Sequence, residues 1–349
     1  MRRIVLFLSF FAVFSGYLYA SEYLEVTPYT IIKIPEVFYY QDNYRVQWWY
    51  FTGQLYDLKG REFGYQLTFF AVDVQKRKYK SRFGVNKLYI SHFAITDVVN
   101  KRYYYFEKID SGIYGFSGAM NNKLLVWVGE DRLEGDYKGF RIKARGKDVE
   151  IDLNLKPKKQ LVLNGQGGYS RKSEDSPLYA SIYFSYTNLE TEGFLKLYNS
   201  AVNVRGKSWF DRELSTRSLS PSQKGWDWFS IRLNNGCEIM IYLLRKQDGT
   251  LDRYSSGTIV YKDGKYKHLT LNDFRIRTLS FYKSKKTNAI YPAEWIVEIP
   301  FEKLYLRIKP LVKEQEFIAY ASTNNYYWEG LCEVKGGVDG RAYVELTGY

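Results

Sequence analysis

The sequence predicts an all-β protein made of two antiparallel β-barrel domains packed together. The first observation is the period-two alternation of half-buried strands, as in residues 149–155, where Val, Ile and Leu alternate with Glu, Asp and Asn. The second is a series of hairpin turns such as Asn235-Gly236 and Asp263-Gly264, whose residue types adopt the positive φ angles of tight turns. The third is an internal repeat. Many short strands at this spacing indicate sandwiches or barrels.

The repeat relates residues 48–55 to residues 226–233, which align without a gap at an offset of 178 positions. Strand alternation puts the aromatic and polar side chains of each copy on one face. That face carries Trp48, Tyr50 and Thr52 in the first copy and Trp226, Trp228 and Ser230 in the second. A closed barrel has no free edge strands, and an eight-stranded barrel can hold one small ligand. We therefore expect one barrel for each copy.

The chain divides into three predicted segments. Residues 1–20 have the features of a secretory signal peptide, with arginines after Met1, an apolar run over residues 4–14 and the small residue Ala20 at the end. Cleavage near Ala20 would release an exported protein, periplasmic or extracellular. The alternative is an uncleaved anchor, although a spanning helix needs about 20 apolar residues. An N-terminal domain at 21–218 and a C-terminal domain at 219–349 follow.

The composition narrows the classes of partner. The sequence contains 34 Tyr, 22 Phe and 8 Trp, and side chains of this kind suit an apolar pocket that binds a hydrophobic small molecule or lipid. The formal net charge is +13, but the lysines are spread through loops and no nucleic-acid motif is present, so we expect no nucleic-acid partner. Peripheral membrane contact stays open. Cys237 and Cys332 allow either a disulfide in an oxidising compartment or two buried thiols.

Few catalytic constellations occur in the sequence. Its two histidines, His92 and His268, and its lack of a paired-cysteine motif argue against a metal site. It has no G-x-S-x-G, Walker or G-x-G-x-x-G motif, so we predict no cofactor. His92 lies in an alternating strand, where it is either a structural histidine or a polar group and proton carrier in a pocket.

The charged cluster Trp209-Phe210-Asp211-Arg212-Glu213 stands among aromatic residues. Alternation puts Trp209, Asp211 and Glu213 on one face and Phe210 and Arg212 on the other. A carboxyl group beside Trp in an apolar space would have a raised pKa and could act as a general acid near neutral pH. The alternative is an ion pair at the end of a strand.

Several ordered segments resemble the lipocalin-like family that contains AttH-type proteins and bacterial carotenoid 1,2-hydratases. They are WWYFTG at 48–53, FGYQLTFF at 63–70, SHFAITD at 91–97, GYSRK at 168–172, WFDRE at 209–213, GWDWF at 225–229, YWEG at 327–330 and VELTGY at 344–349. The resemblance implies two lipocalin-like barrels with ligand space in or between them. The chain is more similar to the AttH-type branch, whose members are exported and often associated with ABC export systems.

In the hydratase branch an Asp is thought to protonate a carbon–carbon double bond before water adds, and Asp211 matches that position. The hydratases have Tyr where this chain has Trp209. AttH-type motifs have Glu and His where this chain has Gln47 and Gln54.

Three functions follow as hypotheses. The first is an exported protein that binds an apolar ligand, lipid or isoprenoid-like, and serves an AttEFGH-type ABC exporter, with the ABC permease as partner. The alternative is a cofactor-free hydratase or lyase acting on a polyene with Asp211 as acid and Trp209 beside it; the third is a non-catalytic envelope interaction protein. A wide pocket without carboxylates would favour carriage, and a narrow one containing Asp211 would favour catalysis. Whether the protein is an enzyme stays open.

The candidate ligand-binding residues are Trp48, Trp49, Tyr50, His92, Tyr186, Glu213, Trp226, Asp227 and Trp228.

Overall fold

The computed structural model describes residues 23–74, 81 and 83–349, so the predicted signal peptide at 1–20 lies outside the described residues. The described residues form two antiparallel sheets, the first curled into a nearly closed barrel and the second into a half-barrel. The all-β prediction is therefore confirmed, with the second unit more open than expected. No helix in the described part of the chain is long and apolar enough to cross a membrane.

Within the described ranges, the first sheet contains thirteen strands. They are β1 (Val46–Asp57), β2 (Glu62–Asp73), β3 (Lys87–Asp97), β4 (Arg102–Asp110), β5 (Ser117–Ala119), β6 (Leu124–Val128), β7 (Asp131–Asp136), β8 (Gly139–Arg145), β9 (Val149–Pro157), β10 (Val162–Leu163), β11 (Tyr169–Arg171), β12 (Ala180–Leu197) and β13 (Ser200–Ser215). Their order is β4-β3-β2-β1-β13-β12-β9-β8-β7-β6-β5, and both β10 and β11 pair with β12.

The second sheet contains ten strands, again counted over the described residues. They are β14 (Gln223–Leu233), β15 (Glu238–Lys246), β16 (Ser256–Val260), β17 (Tyr266–Thr270), β18 (Arg275–Lys283), β19 (Ile290–Ile299), β20 (Leu304–Pro310), β21 (Glu316–Ala319), β22 (Asn325–Gly336) and β23 (Gly340–Thr347). The order is β17-β16-β15-β14-β23-β22-β20-β19-β18, with β21 on β22. Short 3-10 helices occur at Glu36–Phe38 and Pro300–Glu302.

The internal repeat is visible in the pairing of the strands. In the first sheet β1 lies between β2 and β13, and in the second β14 lies between β15 and β23. The opening strand of each copy is thus central in its sheet and pairs with the last strand of its own unit. The domain boundary at 218/219 stays a prediction.

The interior of the first barrel is filled by side chains. Phe51 and Phe210 point inward from β1 and β13, and their rings lie 4.7 Å apart. Phe38, from the first 3-10 helix, lies in the same core, with its ring 5.0 Å from that of Phe184. The interior of the first barrel is therefore an apolar core.

The half-barrel has its own core, which includes Phe229, Trp295 and Trp328. Cys237 and Cys332 are both buried in it as free thiols. The alternative of two buried thiols, left open by the sequence, is the one seen in the structure.

The aromatic faces found in the repeat pack against each other between the two sheets. Tyr50 and Trp209 of the first sheet share a core with Trp228 and Tyr242 of the second. The ring centroids of Tyr50 and Trp228 are 5.1 Å apart in an edge-to-face arrangement, a favourable geometry for aromatic pairs. The shared face of the two copies is therefore the surface that joins them.

Candidate functional site

A cavity of about 240 Å³ lies between the two sheets. Its walls come from strands of both sheets, and the connector near Leu219 covers part of it. Apolar and aromatic side chains form much of the wall, namely Trp48, Phe70, Val72, Ile90, Leu219, Trp226, Trp228 and Leu244. This lining suits an apolar ligand or part of one.

Strand register brings carboxyl groups to the same cavity. Tyr50 of β1 is the Cα partner of Asp211 of β13, and in the second sheet Glu345 of β23 is the Cα partner of both Trp228 and Glu329. Among the described residues, the wall carries the carboxyl groups of Asp211, Glu213, Glu329 and Glu345.

Asp211 is buried and held by donors on both carboxyl oxygens. Ser185 Oγ and Trp209 Nε1 donate to Oδ1 at 2.5 and 2.7 Å, and Tyr183 OH donates to Oδ2 at 2.6 Å. Ser185 is itself fixed by Asn164 Nδ2 at 2.8 Å. Burial raises the pKa of Asp211 to about 7, although these hydrogen bonds act in the opposite direction. The carboxyl group can therefore carry a proton near neutral pH.

Glu213, two residues further along β13, is in an ion pair. Its Oε1 lies 3.1 Å from Nζ of Lys172 and accepts a hydrogen bond from Ser181. Burial alone would lower the pKa of Lys172, but the charge of Glu213 raises it, and the net shift is upward. Nζ of Lys172 also lies 4.1 Å from the ring centroid of Tyr242. Asp211 therefore has a paired carboxylate and ammonium group as neighbours on the cavity wall.

Glu329 and Glu345 form a second acidic group on the opposite sheet. Tyr50 OH donates to Oε1 of Glu329 at 2.6 Å, and Thr347 Oγ1 donates to Oε1 of Glu345 at 3.2 Å. Burial and the neighbouring carboxylate raise the pKa of Glu329 well above its usual range. Burial also raises the pKa of Glu345 to about 7. The candidate residues predicted from the sequence did not include this pair.

A sequence signal for this pair does exist. Both glutamates stand in apolar and aromatic strand segments, Glu329 after Tyr327 and Trp328, and Glu345 between Val344 and Leu346. A carboxyl group in such a strand must be paired, protonated or functional, because an unpaired buried charge is costly. Sequence alone could not show that the two face the same cavity as Asp211.

His92 lines the cavity as a neutral polar group. Its Nδ1 is 2.9 Å from Tyr327 OH and its Nε2 is 2.8 Å from Ser322 Oγ. Burial lowers its pKa to about 3, so the ring is uncharged at neutral pH. The ring also stacks on Phe317 at 4.7 Å. The structure therefore gives His92 both a structural role and a place on the wall.

The predicted site residues separate into two groups. The structure brings Trp48, Tyr50, His92, Asp211, Glu213, Trp226 and Trp228 together around the cavity. The other four lie elsewhere. Trp209 stands behind Asp211 as a hydrogen-bond donor and is fully buried between the sheets, outside the cavity wall.

The three remaining residues point to the opposite faces of their strands. Trp49 follows Trp48 and lies in the barrel core, where its Nε1 donates to Phe38 O at 2.8 Å. Tyr186 lies in the same core. Asp227 binds Arg245 at 2.9 Å and lies outside the cavity wall. Neighbouring strand residues face opposite sides, so these three side chains lie away from the cavity around which the other predicted residues gather.

Within the described residues, no group of three or more His, Cys, Asp and Glu side chains could hold a metal ion. The arrangement is instead one of protonatable carboxyl groups around an apolar space. Such a site can donate and accept protons and stabilise a developing positive charge.

Fold and site together define a class of all-β protein in which two barrel-like sheets enclose an acid-lined apolar cavity at their interface. The chain belongs to the AttH-like family, whose pattern it matches over residues 25–349. It is similar to a crystal structure ascribed to AttH from Nitrosomonas europaea, with 27% identity, a TM-score of 0.85 and coverage of 93% of this chain and 99% of that chain.

Two further similarities extend to named enzymes. The crystal structure of kievitone hydratase from Nectria haematococca has the same fold, with a TM-score of 0.70, 14% identity and coverage of 94% of this chain and 96% of that one. Dehydratase asqC of Emericella nidulans is 24% identical over 243 residues, which cover 66% of this chain and 67% of the dehydratase.

Proposed function

We propose that this protein is a cofactor-free hydratase or lyase that acts on a carbon–carbon double bond of an apolar substrate, with Asp211 as general acid. The observation that carries the proposal is the buried Asp211 carboxyl group, whose raised pKa of about 7 leaves it able to donate a proton on the wall of an apolar cavity. The names of two similar proteins, a hydratase and a dehydratase, support the same reaction class.

The proposed chemistry uses groups already in place. Protonation of an alkene carbon by Asp211 leaves positive charge on the substrate, and Trp226 and Trp228 line the cavity in which that charge develops. A cation over an aromatic face gains about 0.5–2 kcal/mol. The acid form of Asp211 predominates below about pH 7, so turnover should decline as pH rises above that value.

The size of the cavity bears on the choice between catalysis and carriage. Pockets that bury a drug-sized ligand measure about 300–1,000 Å³. A cavity of about 240 Å³ fits the reacting segment of a substrate better than a whole lipid chain. With Asp211 in its wall, the narrow cavity favours the catalytic hypothesis by the criterion stated above.

The test is turnover of a panel of isoprenoid and polyketide alkenes, and of their hydrated alcohols, followed by mass spectrometry in ¹⁸O-labelled water. We expect ¹⁸O in the alcohol product, and a loss of at least about 100-fold in Asp211→Asn. The control is Asp131→Asn, which alters another buried aspartate of the first sheet, bound to Ser91 and Lys108 away from the cavity. If Asp211→Asn turns over substrate at the wild-type rate, the proposal is wrong.

The cavity's apolar wall also supports the second candidate, binding of an apolar ligand without turnover. Under this proposal the protein is exported, serves an AttEFGH-type ABC system and contacts its permease. Native mass spectrometry of the purified protein, with fluorescent fatty-acid probes, tests it. Ligand bound without turnover by wild type, and bound equally by Asp211→Asn, would favour this candidate over the enzyme.

A further inference from the structure

The carboxyl groups of the cavity come from both sheets. Asp211 and Glu213 belong to β13 of the first sheet, whereas Glu329 and Glu345 belong to β22 and β23 of the second. Addition of water to a double bond needs one group that gives a proton and one that takes a proton. Asp211 has been assigned the first role, which leaves the second without an occupant.

Glu345 has the position that this second role requires. It is opposite Trp228 in the strand register, and Trp228 Nε1 donates to Tyr183 OH, which in turn donates to Asp211. The Glu345 side chain is half-buried and lines the cavity, whereas that of its neighbour Glu329 is almost fully buried. Glu345 is therefore the member of the pair that a substrate or water molecule in the cavity can reach.

Glu329 stands beside Glu345 on the adjacent strand, and like charges directly opposite each other in a sheet are destabilising. Two such carboxyls share one proton, as adjacent acids do in other sites. Each glutamate accepts a hydrogen bond that favours its ionised form, Glu329 from Tyr50 OH and Glu345 from Thr347 Oγ1. Because Glu329 is almost fully buried and Glu345 only half-buried, a negative charge costs more on Glu329, so the proton stays on Glu329 and the charge on Glu345.

We propose that Glu345 is the general base of the hydration reaction and that Glu329 is a positioning residue that holds the proton of the pair. This inference rests on the proposed function. Asp211 gives its proton to one alkene carbon as the π electrons form the C–H bond. The oxygen of a water molecule bonds to the other carbon, and Glu345 takes a proton from that water. The product is the alcohol, and a proton returns from Glu345 to Asp211 through water in the cavity.

The pH dependence of such a base is set by the groups that face it. The titratable and charged groups that line the cavity with it are Glu329 and Tyr327 from β22, Asp211 and Glu213 from β13, Tyr50 from β1, His92 from β3, Tyr183 from β12, Tyr242 from β15, Lys172 after β11 and Arg217 after β13. The charges of Asp211 and Glu213 both raise the pKa of Glu345, which places them within electrostatic reach of it. Because the groups interact, the limbs of a pH–rate profile report the cluster as a whole.

The experiment measures pH–rate profiles of the wild-type protein and of three variants, Glu345→Gln, Glu329→Gln and Asp211→Asn. Wild type should give a bell-shaped profile. We expect Glu345→Gln to lower turnover at least 100-fold and to remove the acid limb while the alkaline limb remains. Glu329→Gln should leave the acid limb near its wild-type pH with a smaller loss, because it replaces a neutral acid by a neutral amide without removing the base.

A second measurement does not depend on turnover. Infrared spectroscopy of the carboxyl C=O region, from pH 5 to 9 without substrate, follows the protonated buried acids. The wild-type protein should keep the C=O absorption band of a protonated carboxyl group above pH 8, and Glu329→Gln should remove that band. Glu345→Gln should remove the change in the C=O band that the wild type shows near neutral pH. Near-wild-type turnover and an unchanged acid limb in Glu345→Gln, or an unchanged infrared titration, would overturn this inference. Loss of activity in Asp211→Asn alongside that result would leave the proposed function standing.

Discussion

Replacement of Asp211 by Asn should change the pH dependence of stability in a direction that the structure determines. Asn keeps an oxygen for the donations from Ser185 and Trp209, so the change removes charge with little change in shape. Burial raises the pKa of Asp211 from 3.8 to about 7 on folding. Between these values the folded protein binds a proton that the unfolded chain has released. The free energy of unfolding of wild type therefore falls as pH rises through this window.

The magnitude follows from the same shift. A difference of about 3 pKa units corresponds to an upper limit of about 4 kcal/mol, or about 1.4 kcal/mol for each pH unit. The Asp211→Asn variant does not lose this stability as the pH rises. Its stability relative to wild type should therefore increase steadily from pH 4 to pH 7 and level off above that.

The assay is urea unfolding followed by Trp fluorescence at half-unit steps from pH 4 to 8, with the two proteins compared at each pH. Asp152→Asn is a control of opposite sign, because hydrogen bonds and charge from Arg141 and Lys143 lower the pKa of Asp152. Its carboxylate stabilises the fold at pH values above the unfolded pKa of 3.8, and that stabilisation is lost only below pH 4, so this variant should be less stable than wild type by a nearly constant amount across pH 4–8. A flat difference for Asp211→Asn across pH 4–8 would refute a buried, proton-binding Asp211.

Two further predictions concern a hydrogen-bond donor to Asp211 and a closely packed glycine of β1. Tyr183→Phe removes a donor to Asp211. Since a hydrogen bond to a charged group contributes about 1.5–3 kcal/mol, the alkaline limb of the pH–rate profile should move to higher pH by about 1–2 units. An alkaline limb at the wild-type pH would argue against Asp211 as the acid. Gly53→Ala should destabilise the protein by about 1–3 kcal/mol in thermal unfolding, because its Cβ would lie 2.2 Å from Cε1 of Tyr65. Gly337→Ala, which meets open space, is the matched control, and equal losses in both would contradict the packing argument.

Much of the fold could be predicted because strand periodicity is local. The alternation in WFDRE correctly separated Asp211 and Glu213, which face the cavity, from Phe210, which lies in the barrel core. The same rule places Trp49 and Asp227 away from the cavity, since each stands between residues that face it. The sequence prediction treated each aromatic segment as a unit and did not separate its two faces.

The sequence by itself determined the β structure, the duplication and the aromatic face shared by Trp48, Tyr50, Trp226 and Trp228, because each depends on residues close together in the chain or on a direct comparison of two segments. Only the tertiary structure decided that this face joins the two sheets and that the cavity lies there. Tyr50 and Glu329, whose side chains are 2.6 Å apart, are separated by 279 positions. Packing between such distant segments removes water from the carboxyl groups and raises their pKa values, and no local pattern specifies which segments will meet.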